Sequence, residues 1–139
     1  MVDRMYVPPL ASRRVKRTQI RSRDKWAETD LFVEQGVRYF FRVTGKWCDM
    51  SHCCDANGYT VGYLNFARIW LRCRHDPATW FTLIGTIDKS TDTMFVIGDG
   101  ARLNNGWIAP RSGELVVFAN DISGMYWNNF GSVVLEVWR

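Results

Sequence analysis

Leu115-Val116-Val117-Phe118-Ala119 is an unbroken apolar run, followed by Asn120-Asp121-Ile122-Ser123-Gly124-Met125-Tyr126-Trp127-Asn128-Asn129-Phe130-Gly131 and then by Ser132-Val133-Val134-Leu135-Glu136-Val137-Trp138. Five apolar residues without alternation fit a central strand covered on both faces. The last stretch alternates, with Val133, Leu135 and Val137 on one side and Val134, Glu136 and Trp138 on the other. That is the period of a strand with one face on the core. A polar loop joining two such strands places its side chains at one end of a sheet.

The same pattern extends backward. Val37, Tyr39, Phe41 and Val43 recur at period two, with Arg38 and Arg42 between them, and Gly36 and Thr44-Gly45 bound the run. Phe81–Ile87 and Met94–Ile97 read as strands, ending at Asp88-Lys89-Ser90 and Gly98-Asp99-Gly100. Asn57-Gly58, Asn104-Asn105-Gly106 and Pro110–Gly113 are turn chemistry. Leu64–Cys73 fits a strand or a helix equally. Short strands separated by turn signals every 8–12 residues or so indicate an all-β sandwich or barrel. The expectation is a β-sandwich of jelly-roll kind, one domain over residues 13–139, preceded by an irregular basic arm over residues 1–12 that contains Pro8-Pro9.

Composition narrows the function. The 139 residues are 47% apolar, enough for one core, and 14% aromatic with seven tryptophans, which suits β structure or a carbohydrate-binding face. No apolar run reaches the roughly 20 residues of a membrane helix. No signal peptide is visible, so the expected location is cytoplasmic, or outside by a non-classical route. Residues 1–25 carry eight basic and two acidic side chains; residues 26–139 carry ten and twelve. The body is therefore mildly acidic, and nucleic-acid or anionic-polymer binding is expected only through residues 13–25. Those residues read either as a loose tail or as a first edge strand with Lys16, Thr18, Ile20 and Ser22 on one face.

The oxygen-rich loop is the candidate site. Asp121 offers a carboxylate, and Asn120, Asn128 and Asn129 offer amide carbonyls, the hard donors calcium takes. Asp49 and Asp55 are further acids for such a site. Asn, Asp and Gly are also ordinary turn residues. Trp127 can stack on a sugar ring or pack over the sandwich end. Cys48, Cys53, Cys54 and Cys73, with His52 and His75, allow a zinc site, a disulfide such as Cys54–Cys73, or packed thiols. No nucleophile elbow, P-loop or dinucleotide fingerprint is present. A glycosidase-like meeting of Asp49, Asp55 and Asp121 competes with their being solvated loop acids. The chain reads as non-enzymatic.

The Asn120–Ser132 segment resembles the signature of the PA-IL-like (LecA-type) bacterial lectins. Supporting blocks follow in order: Trp26, Thr29-Asp30-Leu31, Val33 and Gly36; Gly45-Lys46-Trp47; Cys54–Tyr59; Leu83–Ile87; Phe95–Gly98; Ala109-Pro110; and Gly113-Glu114-Leu115. The resemblance spans about residues 13–139. It implies a galactose-binding-like sandwich in which calcium is held by loop oxygens and itself ligates two adjacent sugar hydroxyls. Carried over, Asp121, Asn128 and Asn129 ligate calcium through side chains, and Met125 and Met50 through backbone carbonyls. Asp121, Ile122, Asn128, Asn129 and Trp127 would meet the sugar, for which the resemblance implies a galactoside, and His75 stands on the middle loop where the family carries a sugar-contacting histidine. Homo-oligomerisation and a purely structural or protein-interaction role are the remaining expectations.

Overall fold

The computed structural model describes residues 7–60 and 62–139. Among the described residues nine strands form two antiparallel sheets: β1 (Arg14–Arg21), β2 (Ala27–Val33), β3 (Arg38–Asp49), β4 (His52–Cys54), β5 (Leu83–Ile87), β6 (Phe95–Val96), β7 (Trp107–Ile108), β8 (Gly113–Ala119) and β9 (Asn129–Trp138). One sheet runs β1-β9-β3-β4, with β7 pairing on β3; the other runs β2-β8-β5-β6. This is the β-sandwich that the alternation predicts.

The core lies where the inward faces meet. Val133, Leu135 and Val137 of β9 pack with Leu115, Val117 and Ala119 of β8 and with Tyr39, Phe41, Val43 and Trp47 of β3. The other face of β8 is also covered: Phe118 joins Ile84, Cys73 and Ala78 in a second cluster beneath Trp26. The unbroken apolar run of β8 thus follows from burial on both sides. In β3 the alternation is interrupted at Phe40, which is buried on the outward side. Phe40 borders a crevice lined by Pro8, Pro9 and Leu103.

Residues 13–25 are resolved in favour of the strand. β1 pairs antiparallel with β9 from Arg14 opposite Trp138 to Arg21 opposite Ser132. Ile20 and Ser22 are buried on the predicted inward face. The part of the expected arm at residues 1–6 lies outside the described residues. Its remainder has no strand but is tied down: the Ser12 and Arg13 amides both donate to the Arg139 carbonyl, at 2.8 and 3.0 Å. Leu64–Cys73, left between strand and helix, holds most of a 3₁₀ helix, Gly62–Trp70.

The cysteines differ from expectation. Cys48 and Cys53 stand opposite each other across the β3–β4 hairpin and form a disulfide, with Cα atoms 4.0 Å apart. Cys54 and Cys73 are free thiols, not a pair. Strand alternation turns Cys54 toward the main core, while Cys73 packs behind β8. Among the described residues no three His, Cys, Asp or Glu side chains gather as a metal cluster, so the zinc reading has no constellation.

Candidate functional site

The site forms where four segments converge at one end of the sandwich. The tip of the β3–β4 hairpin supplies Asp49, Met50 and His52. The loop from β8 to β9 supplies Asp121, Ile122, Met125 and Asn128, and the 3₁₀ helix and the strand-like segment before β5 supply Ala67 and Trp80. These residues, with Ser51 and Tyr59, line a pocket of about 330 Å³. Local backbone bonds join the segments. The Met50 amide donates to the Asn128 carbonyl at 3.2 Å, and the Arg72 amide to the Asp121 carbonyl at 3.2 Å. Met50 adopts a left-handed φ of 51°, unusual for a side chain with no local polar group. It is half of the two-residue turn between the paired residues Asp49 and His52.

The sequence-predicted oxygen donors come together. Asp49 is the Cα partner of Asn129, so both side chains lie on one face of the β3–β9 ladder. Asp121 is 2% exposed. Its Oδ1 accepts from the Ile122 amide at 2.7 Å, and its Oδ2 accepts from Asn129 Nδ2 at 3.1 Å. Asn129 Nδ2 also donates to the Ser22 carbonyl at 3.0 Å. The Oδ1 atoms of Asn128 and Asn129 are buried and have no hydrogen-bond partner. A buried unpartnered carbonyl costs about 1–3 kcal/mol, so each of these oxygens has the capacity to accept from a donor or cation that the protein does not itself supply. Burial, reinforced by the charge of Asp49, pushes the Asp121 carboxyl up to about 6, despite the hydrogen bonds from Ile122 and Asn129 and the nearby Arg72.

Asn120 plays a different part. Its side chain accepts from the Cys73 amide at 2.9 Å and donates to the Cys73 and Thr79 carbonyls at 2.8 and 3.0 Å. It clamps the segment around Cys73 to the end of β8 and has no spare oxygen for a ligand. Asp55 closes an Asx turn onto the Asn57 amide and does not line the pocket. Gly58, after Asn57, has a left-handed φ of 80°, and a Cβ there would lie 2.1 Å from the Trp80 carbonyl oxygen, so this turn requires glycine.

Other residues placed at the site carried no recognisable signal. Tyr59 donates its hydroxyl to Asp49 Oδ2 at 2.6 Å, and its ring stacks on His52 with centroids 5.1 Å apart. Burial and Asp49 drive the Tyr59 hydroxyl far up from its ordinary value, keeping it a donor. Behind the loop, Arg72 lays its guanidinium over Phe118, 3.6 Å from the ring centroid, and over Trp26 at 4.3 Å. Its Nη1 donates to the Tyr126 hydroxyl at 2.7 Å, and that hydroxyl donates to the Ala119 carbonyl at 2.6 Å. This chain fixes the loop that carries Asp121 and Asn128.

His75 is not brought to this pocket; it lines a separate opening with Pro77, Met94, Arg102 and Trp107. The histidine beside the candidate donors is His52. Trp127 lies along the chain between the pocket residues Met125 and Asn128 but does not line the pocket and is 65% exposed. Asp49 and Asp121 do approach one another, whereas Asp55 stays apart.

The chain matches no known protein family. No curated protein matches it in sequence. Among solved structures it is similar to the EclA N-terminal domain, described as a PllA-like lectin. The likeness covers 91% of this chain and 97% of that one, with a TM-score of 0.67 and 15% sequence identity. At that identity the likeness establishes the shared β-sandwich.

Proposed function

We infer that this domain binds carbohydrate without catalysis, and that it does so through a calcium ion held at the end of the sandwich. The observation that carries this reading is the pair of buried, unpartnered carbonyl oxygens of Asn128 and Asn129 beside the buried carboxylate of Asp121. These are hard oxygen donors of the kind calcium takes. Asp49, one strand over, adds a second carboxylate, and the Met50 and Met125 carbonyls complete the proposed ligand set. A bound ion would offset the charges of the buried Asp121 and the half-buried Asp49 and offer coordination positions to sugar hydroxyls.

The chain's own residues do the rest. Trp80, Ala67 and Ile122 give the pocket an apolar wall, suited to the C–H face of a pyranose. His52, held by its stack on Tyr59, presents ring nitrogens at the rim. Trp127 offers an exposed stacking surface just outside. The described fold neighbour is called a lectin, which agrees with this reading, and a galactoside is the ligand that the LecA-type resemblance favours. Asp49 is held by the Tyr59 hydroxyl, and the neighbouring Asp121 carboxyl is buried and bonded on both oxygens, to Ile122 and Asn129, so binding is favoured over glycoside cleavage.

A glycan array probed in millimolar calcium and again in chelator tests the proposal. Retention of one glycan class in calcium, lost in chelator, is the expected result. No glycan bound under either condition, with calcium still taken up, would make the ion structural and leave the fold as an interaction module.

A further inference from the structure

The 3₁₀ helix Gly62–Trp70 shows a face that neither the core nor the calcium pocket accounts for. Ala67 and, just past the helix, Leu71 turn inward and pack on Trp80. Phe66, Ile69 and Trp70, spaced three and four residues apart, form a crest that is 65%, 60% and 56% exposed. The Phe66 and Trp70 rings meet edge to face, with centroids 6.2 Å apart. Single exposed apolar residues are ordinary on a protein surface, but three on adjoining positions of one short helix form a patch.

The helix is a ridge between two hollows. Ala67 borders the calcium pocket on one flank, beside the exposed Met50 and Met125. Arg68 and Ile69 border the other, a hollow of about 250 Å³ that they share with Arg74 and the buried Leu71, Cys73 and Ala78. Arg68 is positioned by a bond from Nη2 to the Ala78 carbonyl at 3.1 Å, which leaves its charge unpaired. Arg74 is exposed. Among the described residues neither arginine enters an ion pair. No acidic residue occurs in the sequence between Asp55 and Asp76, and Asp76 lines a different opening with His75. Arg72, folded over Phe118 and Trp26, takes no part in this surface.

We propose that this ridge docks on an anionic phospholipid bilayer, with Phe66, Ile69 and Trp70 entering the interfacial layer and Arg68 and Arg74 receiving lipid phosphates. Tryptophan favours the headgroup level of a bilayer, where its apolar ring and polar edge are both accommodated. Apolar area and cationic charge on one helix are the two contributions that bind an interfacial helix to anionic lipid. Guanidinium groups meet phosphate oxygens bidentately. The shape agrees with the chemistry. A crest flanked by two hollows is convex, and a fluid lipid layer closes around it, whereas a protein partner would have to bring a groove of matching form. The inference is independent of the calcium reading.

The test is flotation with vesicles of phosphatidylcholine alone and of equimolar phosphatidylcholine and phosphatidylserine, in chelator so that no calcium bridges protein to lipid. Wild type should bind the mixed vesicles at least about tenfold more tightly than the neutral ones. Brominated acyl chains should quench its tryptophan emission, and Trp70→Phe should lessen the quenching while keeping most of the binding. Phe66→Ser/Trp70→Ser should lower affinity for the mixed vesicles at least about tenfold. Arg68→Gln/Arg74→Gln should lower it about fivefold for each arginine. Arg111→Gln, a change before the opposite end of β8, should leave it as it is. Circular dichroism checks that each variant is folded, and the wild-type lipid series and its quenching stand without any variant. The proposal is overturned by no binding to the mixed vesicles or by binding without quenching. It is also overturned by an aromatic variant that binds like wild type, which would assign adhesion to the cations of β1, or by self-association through the patch in place of lipid binding.

Discussion

Asp121→Asn is expected to invert its effect on stability according to whether calcium is present. The Asp121 carboxyl is raised from 3.8 to about 6, first by burial. With a folded value above the unfolded one, its favourable contribution is complete below pH 4 and is lost as pH rises through 6. Two units correspond to about 3 kcal/mol of penalty by pH 8 in chelator. Asparagine carries no charge there. It can accept from the Ile122 amide or from Asn129 Nδ2 but not both, which forfeits about 1 kcal/mol. The variant should therefore be more stable than wild type by about 1–2 kcal/mol, roughly 3–6 °C for a chain of this size. Calcium at 100 times its dissociation constant stabilises wild type by about 2.7 kcal/mol. The variant, lacking the charge, gains little, and the order reverses. Lowering the pH to 5 should shrink the difference in chelator, because wild-type Asp121 is then mostly protonated. Thermal melts of both proteins in calcium and in chelator, at pH 5 and 8, read all of this. A variant less stable than wild type by 1 kcal/mol or more in chelator at pH 8 would refute the reasoning and make Asp121 an ordinary hydrogen-bond hub.

Asn128→Ala removes an oxygen that has no partner; it should lower calcium affinity at least tenfold by calorimetry while moving the melting midpoint in chelator by no more than about 3 °C. Trp127→Ala removes an exposed ring; sugar affinity should fall with calcium affinity nearly intact, measured in the same titrations once the array has named a ligand. Cys48→Ser/Cys53→Ser opens a hairpin whose tip holds Asp49, Met50 and His52; loop entropy alone predicts about 2 kcal/mol of lost stability, and calcium affinity should fall with it. Deleting residues 1–23 removes the whole β1 ladder, the buried Ile20 side chain and the Ser22 carbonyl that orients Asn129; far-UV circular dichroism should show a largely unfolded chain at 37 °C, and a folded one would contradict the structural role of β1.

The fold was legible because hydrophobic period is a local property. β8 betrays its two-sided burial in five consecutive apolar residues, and β9 its one-sided burial in strict alternation. β1 was readable as a strand from Ile20 and Ser22, but a chain rich in arginine equally suits a tail, and only pairing with β9 decides. The Asp121–Asn129 loop stood out by composition. Of the neighbours that complete its pocket, Asp49 was named with Asp55 as a further acid, and only the hairpin register separates the two; His52, Tyr59 and Trp80 reach the pocket through strand register and the hairpin turn and did not stand out. Asn120 resembled a donor by type, yet its amide is consumed by Cys73 and Thr79. His75 followed from position along the chain, and the chain carries it to another opening. The disulfide needed the β3–β4 register, which places Cys48 opposite Cys53 and turns Cys54 away.

A crystal structure of the protein grown in millimolar calcium with the glycan selected by the array bears most directly on the proposed mode of binding. The account predicts an ion about 2.3–2.6 Å from oxygens of Asp121, Asn128 and Asn129, with two hydroxyls of one sugar completing its shell. A sugar bound elsewhere, or a water hydrogen-bonded to the Asn128 and Asn129 carbonyls in place of the ion, would contradict it.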